Sequence, residues 1–418
     1  MKIGYACLTV GIPETNFRTC TMKNASTENL LEIISHNLKS LENIIDYNIL
    51  NEIKLFRISS DIIPFGSSTV NTIKWWNAFA GELEHIGEKI KSNNIRVSMH
   101  PGQYTVLNST SEEVVERAIA DLTYHNKFLK SLKVDNKSKI ILHIGGVYGN
   151  KEDAIKRFEK NFKTLDKEIK NRLVIENDDK SYNINEVLNI GQGLNIPVVY
   201  DNLHNEVLTF DNLKDDIYWV NKCRKTWEKD DGVQKIHYSQ QNPNKRSGSH
   251  SKTISLEEFG KFISKIDYRE IDIMMEVKDK NLSAMKAINY FDNNKKITRL
   301  EVEWSKYKYN ILEHSPKHYN EIRSLLKDKK TYPVLKFYKL IDEALEIEAT
   351  IGNSINSTQH IWGYFKSYAT KIEGNKFEKY LERYKKGTLS INALKNLLWE
   401  MTIKYNEEYL LKSYYFHF

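Results

Sequence analysis

The stretch Leu173-Val174-Ile175-Glu176-Asn177 decides the fold. Three apolar residues run directly into a carboxylate and an amide. A continuous apolar run with polar boundaries is typical of a strand that is buried on both faces, as in a parallel sheet. A carboxylate at the end of such a strand is costly unless it is paired or bound to a cation. The same pattern recurs along the chain, so the sequence predicts a parallel sheet with charged side chains at one end.

Eight such runs alternate with segments of helical periodicity. The first two lie at 2–8 and 54–60, and the residues that end the third to the eighth are His100, His143, Glu176, Asp201, His237 and Glu276. Successive members of this set are 25 to 43 residues apart, the size of one strand plus one helix. This alternation predicts an α/β protein with a (β/α)8 TIM-type barrel. A doubly wound open sheet is the alternative fold, but no G-x-G-x-x-G sequence follows a strand.

The composition changes after about residue 290. Residues 300–418 hold 21 of the 47 aromatic residues, and apolar residues recur there at helical spacing. The predicted helices of this part are 335–350, 358–368, 376–386 and 391–405. With a boundary between about 285 and 300, the sequence predicts a barrel domain over 1–288 and an all-α domain over 300–418.

The charge and the cysteine content limit the classes of protein to which this chain can belong. The net charge of +7 and the pI near 8.8 favour an anionic partner without requiring one. The chain has three cysteines, an odd number, and they lie far apart in the sequence at Cys7, Cys20 and Cys223. We therefore expect a protein of the reducing cytoplasm that has no disulfide framework. The N-terminus enters a strand-like run directly, and no run approaches ~18 apolar residues. We therefore expect neither a signal peptide nor a membrane span.

The strand-end residues have the chemistry of a metal centre. In such barrels the active site lies at the carboxyl ends of the strands. His204 follows Asp201 by three residues, and His250 lies in the loop after His237. A single His or carboxylate at a strand end is more often structural, but five of the 12 histidines in this register favour metal binding. Imidazoles with carboxylates suit Zn2+ or Mn2+. Eight ligands predict two or three ions, and a bridged pair performs in-line displacement at phosphorus.

Two further features adjoin this set. His100-Pro101-Gly102-Gln103-Tyr104 places an amide and a ring on a Pro-Gly turn, where they can insert into a base stack or form an ordinary packed turn. Lys235 precedes His237 by two residues, so strand alternation points both side chains into the site. A lysine there can bind phosphate or have a pKa shifted by the cations, and the alternative is an ion pair with Glu176 or Glu276.

At these residues the chain resembles the UV-damage endonuclease family, whose barrel is related to endonuclease IV. The matching motifs follow in order over about 1–280: Gly4-Tyr5, Phe56-Arg57-Ile58, Met99-His100-Pro101-Gly102-Gln103-Tyr104, His143-Ile144-Gly145-Gly146, Glu176-Asn177-Asp178, Asp201-Asn202-Leu203-His204, His237-Tyr238-Ser239-Gln240 and Glu276-Val277-Lys278. The resemblance implies incision of UV-damaged double-stranded DNA immediately 5′ of a pyrimidine photoproduct, which leaves a 3′-hydroxyl and a 5′-phosphate. It implies Mn2+ as the usual cofactor, with Zn2+ or Mg2+ as alternatives, and action at the bacterial nucleoid.

Carried over by position, the resemblance assigns the ligands to three ions: His100, His143 and Glu176 to the first; Glu176, Asp201, His237 and Glu276 to the second; His204 and His250 to the third. The residues that we expect to act in catalysis are Glu176, Lys235 and His237. The residues that we expect to contact DNA are Gln103 and Tyr104, which would probe the gap opposite the flipped lesion, and Tyr5 beside it.

The chain departs from the family pattern at two positions. Thr9 stands where the family often has an Asn, which removes the lesion contact expected there. Gly248 stands where relatives of the endonuclease IV type have an Asp that completes the third metal site. Carbamylation of Lys235 by CO2 would supply the missing carboxylate, and we state this as a hypothesis.

The tail resembles a helical domain of unknown function from bacterial proteins. Its markers are 307–309 with 314–319, then 360–366 and 383–387. Residues 300–418 contain 19 Lys/Arg and 15 Asp/Glu, and rings beside lysines can either stack on unpaired bases or form a bundle core. Two other functions stay open: a metal-dependent sugar isomerase or epimerase on a related barrel, and a scaffold whose tail recruits a protein partner.

Overall fold

A closed barrel of eight parallel strands organises the structure, which is a computed structural model that describes residues 1–417. The strands follow one another around the barrel in chain order: β1 (Ile3–Ala6), β2 (Leu55–Ile58), β3 (Arg96–Met99), β4 (Ile140–His143), β5 (Leu173–Glu176), β6 (Val198–Asp201), β7 (Gln234–Tyr238) and β8 (Ile271–Met275). β1 also pairs with β8, with Ile3 beside Ile273, and this pairing closes the sheet. The predicted (β/α)8 barrel is confirmed, and the doubly wound open sheet is excluded.

Helices follow each strand, and further helices form the C-terminal region. The first nine are α1 (Thr27–Leu50), α2 (Trp75–Ala78), α3 (Ala80–Ser92), α4 (Glu112–Ser131), α5 (Lys151–Thr164), α6 (Lys167–Arg172), α7 (Ile184–Leu194), α8 (Asn202–Val207) and α9 (Asp216–Arg224). The others are α10 (Leu256–Lys265), α11 (Asn281–Tyr290), α12 (Ile297–His314), α13 (Pro316–Leu325), α14 (Val334–Leu345), α15 (Ile351–Trp362), α16 (Lys371–Lys385), α17 (Ile391–Lys404) and α18 (Glu408–Leu411).

Strand alternation decides which residues fill the barrel. Ile141, Val174 and Val199 are fully buried and contact one another, because the same face of β4, β5 and β6 points inward. A Cβ at Gly4 would collide with the carbonyl oxygen of Leu55, so the pairing of β1 with β2 requires glycine there. The next inward positions on β4 to β6 lie at the strand ends, and they are the polar residues of the site.

The structure corrects one helix prediction and shows how two other helices are bounded. The chain leaves helical geometry at Phe79, so α2 and α3 are separate helices. α8 begins directly after Asp201, whose side chain caps it by accepting from the His204 amide. The predicted helix 358–368 is wrong in register: α15 begins after Thr350, whose side chain accepts from the Asn353 amide.

Contacts divide the chain into two compact units. The first comprises 1–9, 14–254 and 258–285, and the second comprises 10–13, 255–257 and the chain from Lys286. In the second unit, fully buried Ile361, Phe365, Leu394 and Leu398 belong to the core of a helical bundle. No helix in residues 1–417 combines the length and apolarity that a membrane crossing needs.

Candidate metal centre

Six strand ends bring six of the eight predicted ligands together at one end of the barrel. Glu176 is the last residue of β5, and strand pairing places it beside His143 of β4. Asp201, which ends β6, pairs in the same way with His237 of β7. Because parallel strands in a closed barrel end in one ring, residues far apart in sequence become neighbours. The fold therefore builds the cluster from short strands without help from long loops.

Glu176 lies at the centre of this cluster, and both of its carboxylate oxygens contact imidazoles. Oε1 lies 2.7 Å from Nδ1 of His237 and 3.8 Å from Nδ1 of His204. Oε2 lies 3.2 Å from Nε2 of His100 and 3.7 Å from Nε2 of His143. The Glu176 side chain is 1% exposed, so these contacts replace the water that an isolated carboxylate would need.

Three groups of potential metal ligands share Glu176. They are His100, His143 and Glu176; Glu176, Asp201 and His204; and Glu176, His237 and Glu276. In each group the ligand atoms lie within 4.8 Å of one another. The structure thus places His204 with Asp201, where the family resemblance separated them. His250, which lies in the loop after β7 and forms a backbone bridge with Gln241, belongs to none of these groups.

Orphaned polar atoms test whether this site fits divalent cations. Oδ2 of Asp201, Nδ1 of His143 and Nε2 of His237 are buried, and each lacks a hydrogen-bond partner among the described residues. Unpaired buried polar atoms are rare in folded proteins, because each loses its hydration without compensation. Two are imidazole nitrogens and one is a carboxylate oxygen, the ligand types that Zn2+ and Mn2+ accept. The residues therefore fit a metal centre.

The electrostatics of the cluster also favour the binding of cations. Burial lowers the pKa of His143 to about 4, against the attraction of Glu176. Burial also opposes charge on His204, but Asp201 and Glu176 outweigh it and raise the pKa to about 9. Burial would raise the pKa of Glu176, yet the neighbouring His237 holds it well below its usual range. Negative charge is thus concentrated on a buried carboxylate, where cations would stabilise it.

Two asparagines, which the sequence reasoning did not assign, lock the strand ends together. Nδ2 of Asn177 donates to the Asp201 carbonyl at 3.0 Å. Oδ1 of Asn177 accepts from the Asp201 N–H at 2.9 Å. Asn202 makes the same reciprocal pair with Ser239, at 2.9 Å each way. The sequence did contain a signal for them, because Glu176 and Asp201 are each followed directly by Asn, whereas Glu276 is followed by Val277. These side chains extend the ladder past the ends of β5 and β6 and fix Glu176 and Asp201.

Arg57 is a further residue that the sequence reasoning did not assign. It points into the barrel from β2, and its Nη1 donates to Oε1 of Glu276 at 2.6 Å. The two side chains are 11% and 12% exposed. Burial would raise the pKa of Glu276, but the charges of Arg57 and then His237 outweigh it and hold this pKa below its usual range. Arg57 thus keeps a predicted metal ligand ionised.

Lys235 lies one layer deeper in the barrel than the ligand cluster. Its side chain is fully buried, and Nζ has no hydrogen-bond partner in the described chain. Burial, followed by the charge of Arg96, holds its pKa well below the usual range. Among the described residues Nζ of Lys235 forms neither of the alternative ion pairs, with Glu176 or with Glu276, and Glu276 is paired with Arg57 instead. Carbamylation of Lys235 stays a prediction.

The loop after β3 presents both residues that were predicted to insert into DNA. Gln103 is exposed, and Tyr104 is 71% exposed. The next residue, Thr105, anchors the loop by donating to the Asp121 carboxylate of α4 at 2.7 Å. A buried histidine of the same helix, His125, contacts the Ser60 hydroxyl at 2.9 Å, and this hydroxyl donates to the His100 carbonyl. The tip is accessible while its base is held to the barrel.

Tyr5, by contrast, is not brought to this loop. Its side chain is fully buried, and its hydroxyl is 2.9 Å from Thr9 Oγ1 and donates to Asn48 Oδ1 at 2.9 Å. The ring packs edge-on against Phe56 of the neighbouring strand. This placement gives no support to the predicted DNA contact of Tyr5, and it shows that Thr9 serves the internal hydrogen bonds of the barrel.

Comparisons with known proteins agree with this geometry. The family model of "UV-endonuclease UvdE" matches residues 1–305, and that of a "Protein of unknown function (DUF1722)" matches 308–418. The chain is 42% identical over 405 residues to the UV DNA damage endonuclease of Clostridium perfringens, covering 94% of this chain and 96% of that relative. It is 34% identical over 288 residues to the UV DNA damage endonuclease of Bacillus cereus strain G9842, covering 68% and 90%.

A solved structure supports the same assignment. The crystal structure of SacUVDE matches with a TM-score of 0.67 and 39% identity, over 70% of this chain and 99% of that one. The match to residues 1–305 includes all the strands of the barrel and every predicted ligand. The chain therefore belongs to the UV-endonuclease UvdE family and is a DNA-repair endonuclease.

Proposed function

We propose that this enzyme incises double-stranded DNA immediately 5′ of a UV photoproduct such as a pyrimidine dimer, and leaves a 3′-hydroxyl and a 5′-phosphate. The observation that carries the proposal is the set of three ligand groups that meet at Glu176. We propose two or three divalent ions at these groups, Mn2+ first and Zn2+ or Mg2+ as alternatives. When bound, such ions activate water and stabilise charge on the leaving oxygen of a phosphodiester.

The side chains of the chain have distinct parts in this proposal. Glu176 holds all three groups together, because each of its oxygens already contacts two imidazoles. His237 bonds to Glu176 and lies 3.1 Å from Glu276, which orients both carboxylates. Lys235 lies beneath them as the remaining proposed catalytic residue. The rigid strand ends keep these groups in place before DNA binds, which lowers the reorganisation needed during the reaction.

Recognition of the damaged site rests on the exposed loop. A photodimer already stacks and pairs poorly, so turning it out of the helix costs less than turning out normal bases. Tyr104 and Gln103 are accessible on an anchored loop and would fill the gap that the displaced bases leave. The net charge of +7 suits phosphate contacts, which position the duplex without reading its sequence.

The competing function, a sugar isomerase or epimerase, requires a closed pocket over a small polyol. The 71% exposure of Tyr104 on an anchored loop favours contact with a large substrate. The relatives from Clostridium perfringens and Bacillus cereus, at 42% and 34% identity, are also endonucleases.

One experiment tests the proposal as a whole. Metal-free protein is reloaded separately with Mn2+, Zn2+ or Mg2+, and its nicking of supercoiled plasmid is measured before and after UV irradiation. We expect nicking of irradiated plasmid with Mn2+, none with chelator, and none on undamaged plasmid. The new ends should prime a DNA polymerase without further processing, since the proposed product carries a 3′-hydroxyl. Nicks that cannot be extended, or equal nicking of both plasmids, would refute the proposed reaction.

Tyr104→Ala should weaken binding to a duplex with one photodimer by roughly tenfold, because stacking of a ring on a base contributes about 1–3 kcal/mol. The measurement is fluorescence anisotropy in chelator, so that no cleavage occurs. Tyr268→Ala is the matched control, since this half-buried tyrosine precedes β8 at the opposite end of the barrel. If both variants bind like the unmodified enzyme, the loop does not contact the lesion.

A further inference from the structure

Two neighbouring helices of the second unit repeat the same aromatic–cation spacing. On α12, Trp304 precedes Lys308 by four residues, and on α13, Tyr319 precedes Arg323 by four. Residues four apart lie on one face of a helix, so each pair is presented together. The Trp304 and Tyr319 rings contact each other with centroids 5.4 Å apart, and the Arg323 guanidinium lies 5.6 Å from the Tyr319 ring centroid. The two pairs thus form one continuous surface.

Two more rings extend this surface. Tyr364, just after α15, and Tyr409 of α18 stack with centroids 5.8 Å apart and planes 11° from parallel. Nζ of Lys308 lies 4.5 Å from the Tyr409 ring centroid. We call Trp304, Lys308, Tyr319, Arg323, Tyr364 and Tyr409 the aromatic–cationic patch. Its four rings are half-buried, with three of them packed against the bundle core, so they are rigid and still accessible.

The cations of the patch lack acidic partners, unlike others in the same unit. Lys395 pairs with Glu313 at 2.7 Å, and Lys404 pairs with Glu373 at 2.7 Å. In residues 1–417, neither Lys308 nor Arg323 forms an ion pair. Burial lowers the pKa of Lys308, and the nearby charge of Arg323 lowers it further. A bound anion would relieve the repulsion between Lys308 and Arg323, whose positive charges have no acidic partner in the described chain and lie among accessible rings.

We propose that the aromatic–cationic patch binds an unpaired DNA strand, with bases stacked on its rings and phosphates held by Lys308 and Arg323. Rings in alternation with cations are what sequence-independent binding of single strands requires, since every base has a stacking face and every nucleotide a phosphate. An acidic peptide would use the cations but would leave four accessible rings without a stacking partner. None of its residues belongs to the ligand groups of the metal centre, so we expect nicking of irradiated DNA not to require it.

The test measures binding of the full-length, metal-free protein to fluorescent oligo(dT) of about 16 nucleotides. The double variant Lys308→Gln/Arg323→Gln should bind at least about tenfold more weakly. The slope of log K against log[salt] should become shallower by about 1.4, since each of the two lost phosphate contacts contributes about 0.7 to it. Trp304→Leu should bind roughly tenfold more weakly. Oligonucleotides containing bromodeoxyuridine should crosslink to Trp304 or Tyr319 on irradiation.

Lys404→Gln is the matched control, because Lys404 also lies beside a tyrosine ring, 4.9 Å from the Tyr405 centroid, but has Glu373 as its partner. It should keep oligo(dT) affinity and salt dependence. All variants should keep their melting temperature and nick irradiated plasmid as before. Unchanged oligo(dT) binding in the double variant would overturn the proposal. So would an equal loss in Lys404→Gln, equally tight binding of an abasic strand, or displacement by polyglutamate at equal concentration.

Discussion

Glu176→Gln is expected to abolish nicking of irradiated DNA, with a loss on the order of a thousandfold or more. Glu176 belongs to all three ligand groups, whereas each other ligand belongs to one. A neutral amide of nearly the same shape removes the charge and one acceptor oxygen while keeping the packing. Loss of about 4 kcal/mol of transition-state stabilisation corresponds to this factor, and metal centres supply several kcal/mol.

The measurements are plasmid nicking and the content of bound Mn2+ per chain by elemental analysis. Bound metal should fall with activity, while the circular dichroism spectrum stays that of the unmodified protein. Glu116→Gln, on the exposed face of α4, is the control and should leave both quantities unchanged. Wild-type-like nicking by Glu176→Gln would contradict the central role of this carboxylate.

The barrel and its ligand set could be predicted from the sequence because each depends on a local pattern. A buried strand here begins with an apolar run of three or more residues, and the polar residue that ends the run lies at the same end of the barrel as its counterparts. Thus Leu173–Glu176 and Val198–Asp201 predict both a strand and a neighbouring ligand. No knowledge of side-chain packing is needed for this step.

The pairing inside the site could not be predicted in the same way. Arg57 and Glu276 are 219 positions apart, and nothing local to either residue indicates that β2 and β8 point them at each other. The division of ligands between ions depends on α8, which begins at once after Asp201 and turns His204 back toward Glu176. Tyr5 lies in a matching motif, yet only the packing of α1 over β1 shows that its hydroxyl is bound to Asn48.

The charges of the barrel interior follow from the same alternation. The positions that face inward along β2, β7 and β8 include Arg57, Lys235 and Asp272, so the ligand cluster rests on a layer that contains both signs of charge. Asp272 is paired with Arg96 at 3.0 Å. Of these groups, Arg57 alone bonds directly to a proposed ligand, which makes it the best point to test how the barrel supports the site.

Arg57→Met should destabilise the metal-free protein by about 3–5 kcal/mol at neutral pH, because it leaves the buried Glu276 carboxylate without its cation. The pKa of Glu276 in the folded enzyme lies below its ordinary value, so the stabilisation from this pair is present above about pH 4.3 and is lost as pH falls through the folded-state pKa. The loss in free energy of unfolding should therefore be largest near pH 7 and should shrink as the pH is lowered into the acid range. Urea unfolding in chelator, from neutral to acid pH, measures this loss.

The double variant Arg57→Met/Glu276→Gln separates the lost pair from a simple packing defect. With the carboxylate also removed, most of the stability should return, although Mn2+ binding should not, because Glu276 is a proposed ligand. Arg117→Met removes an arginine from an exposed pair with Glu113 and should cost less than about 1 kcal/mol. If the double variant is as unstable as Arg57→Met alone, Arg57 supports the barrel through packing, and its charge does not hold Glu276 in place.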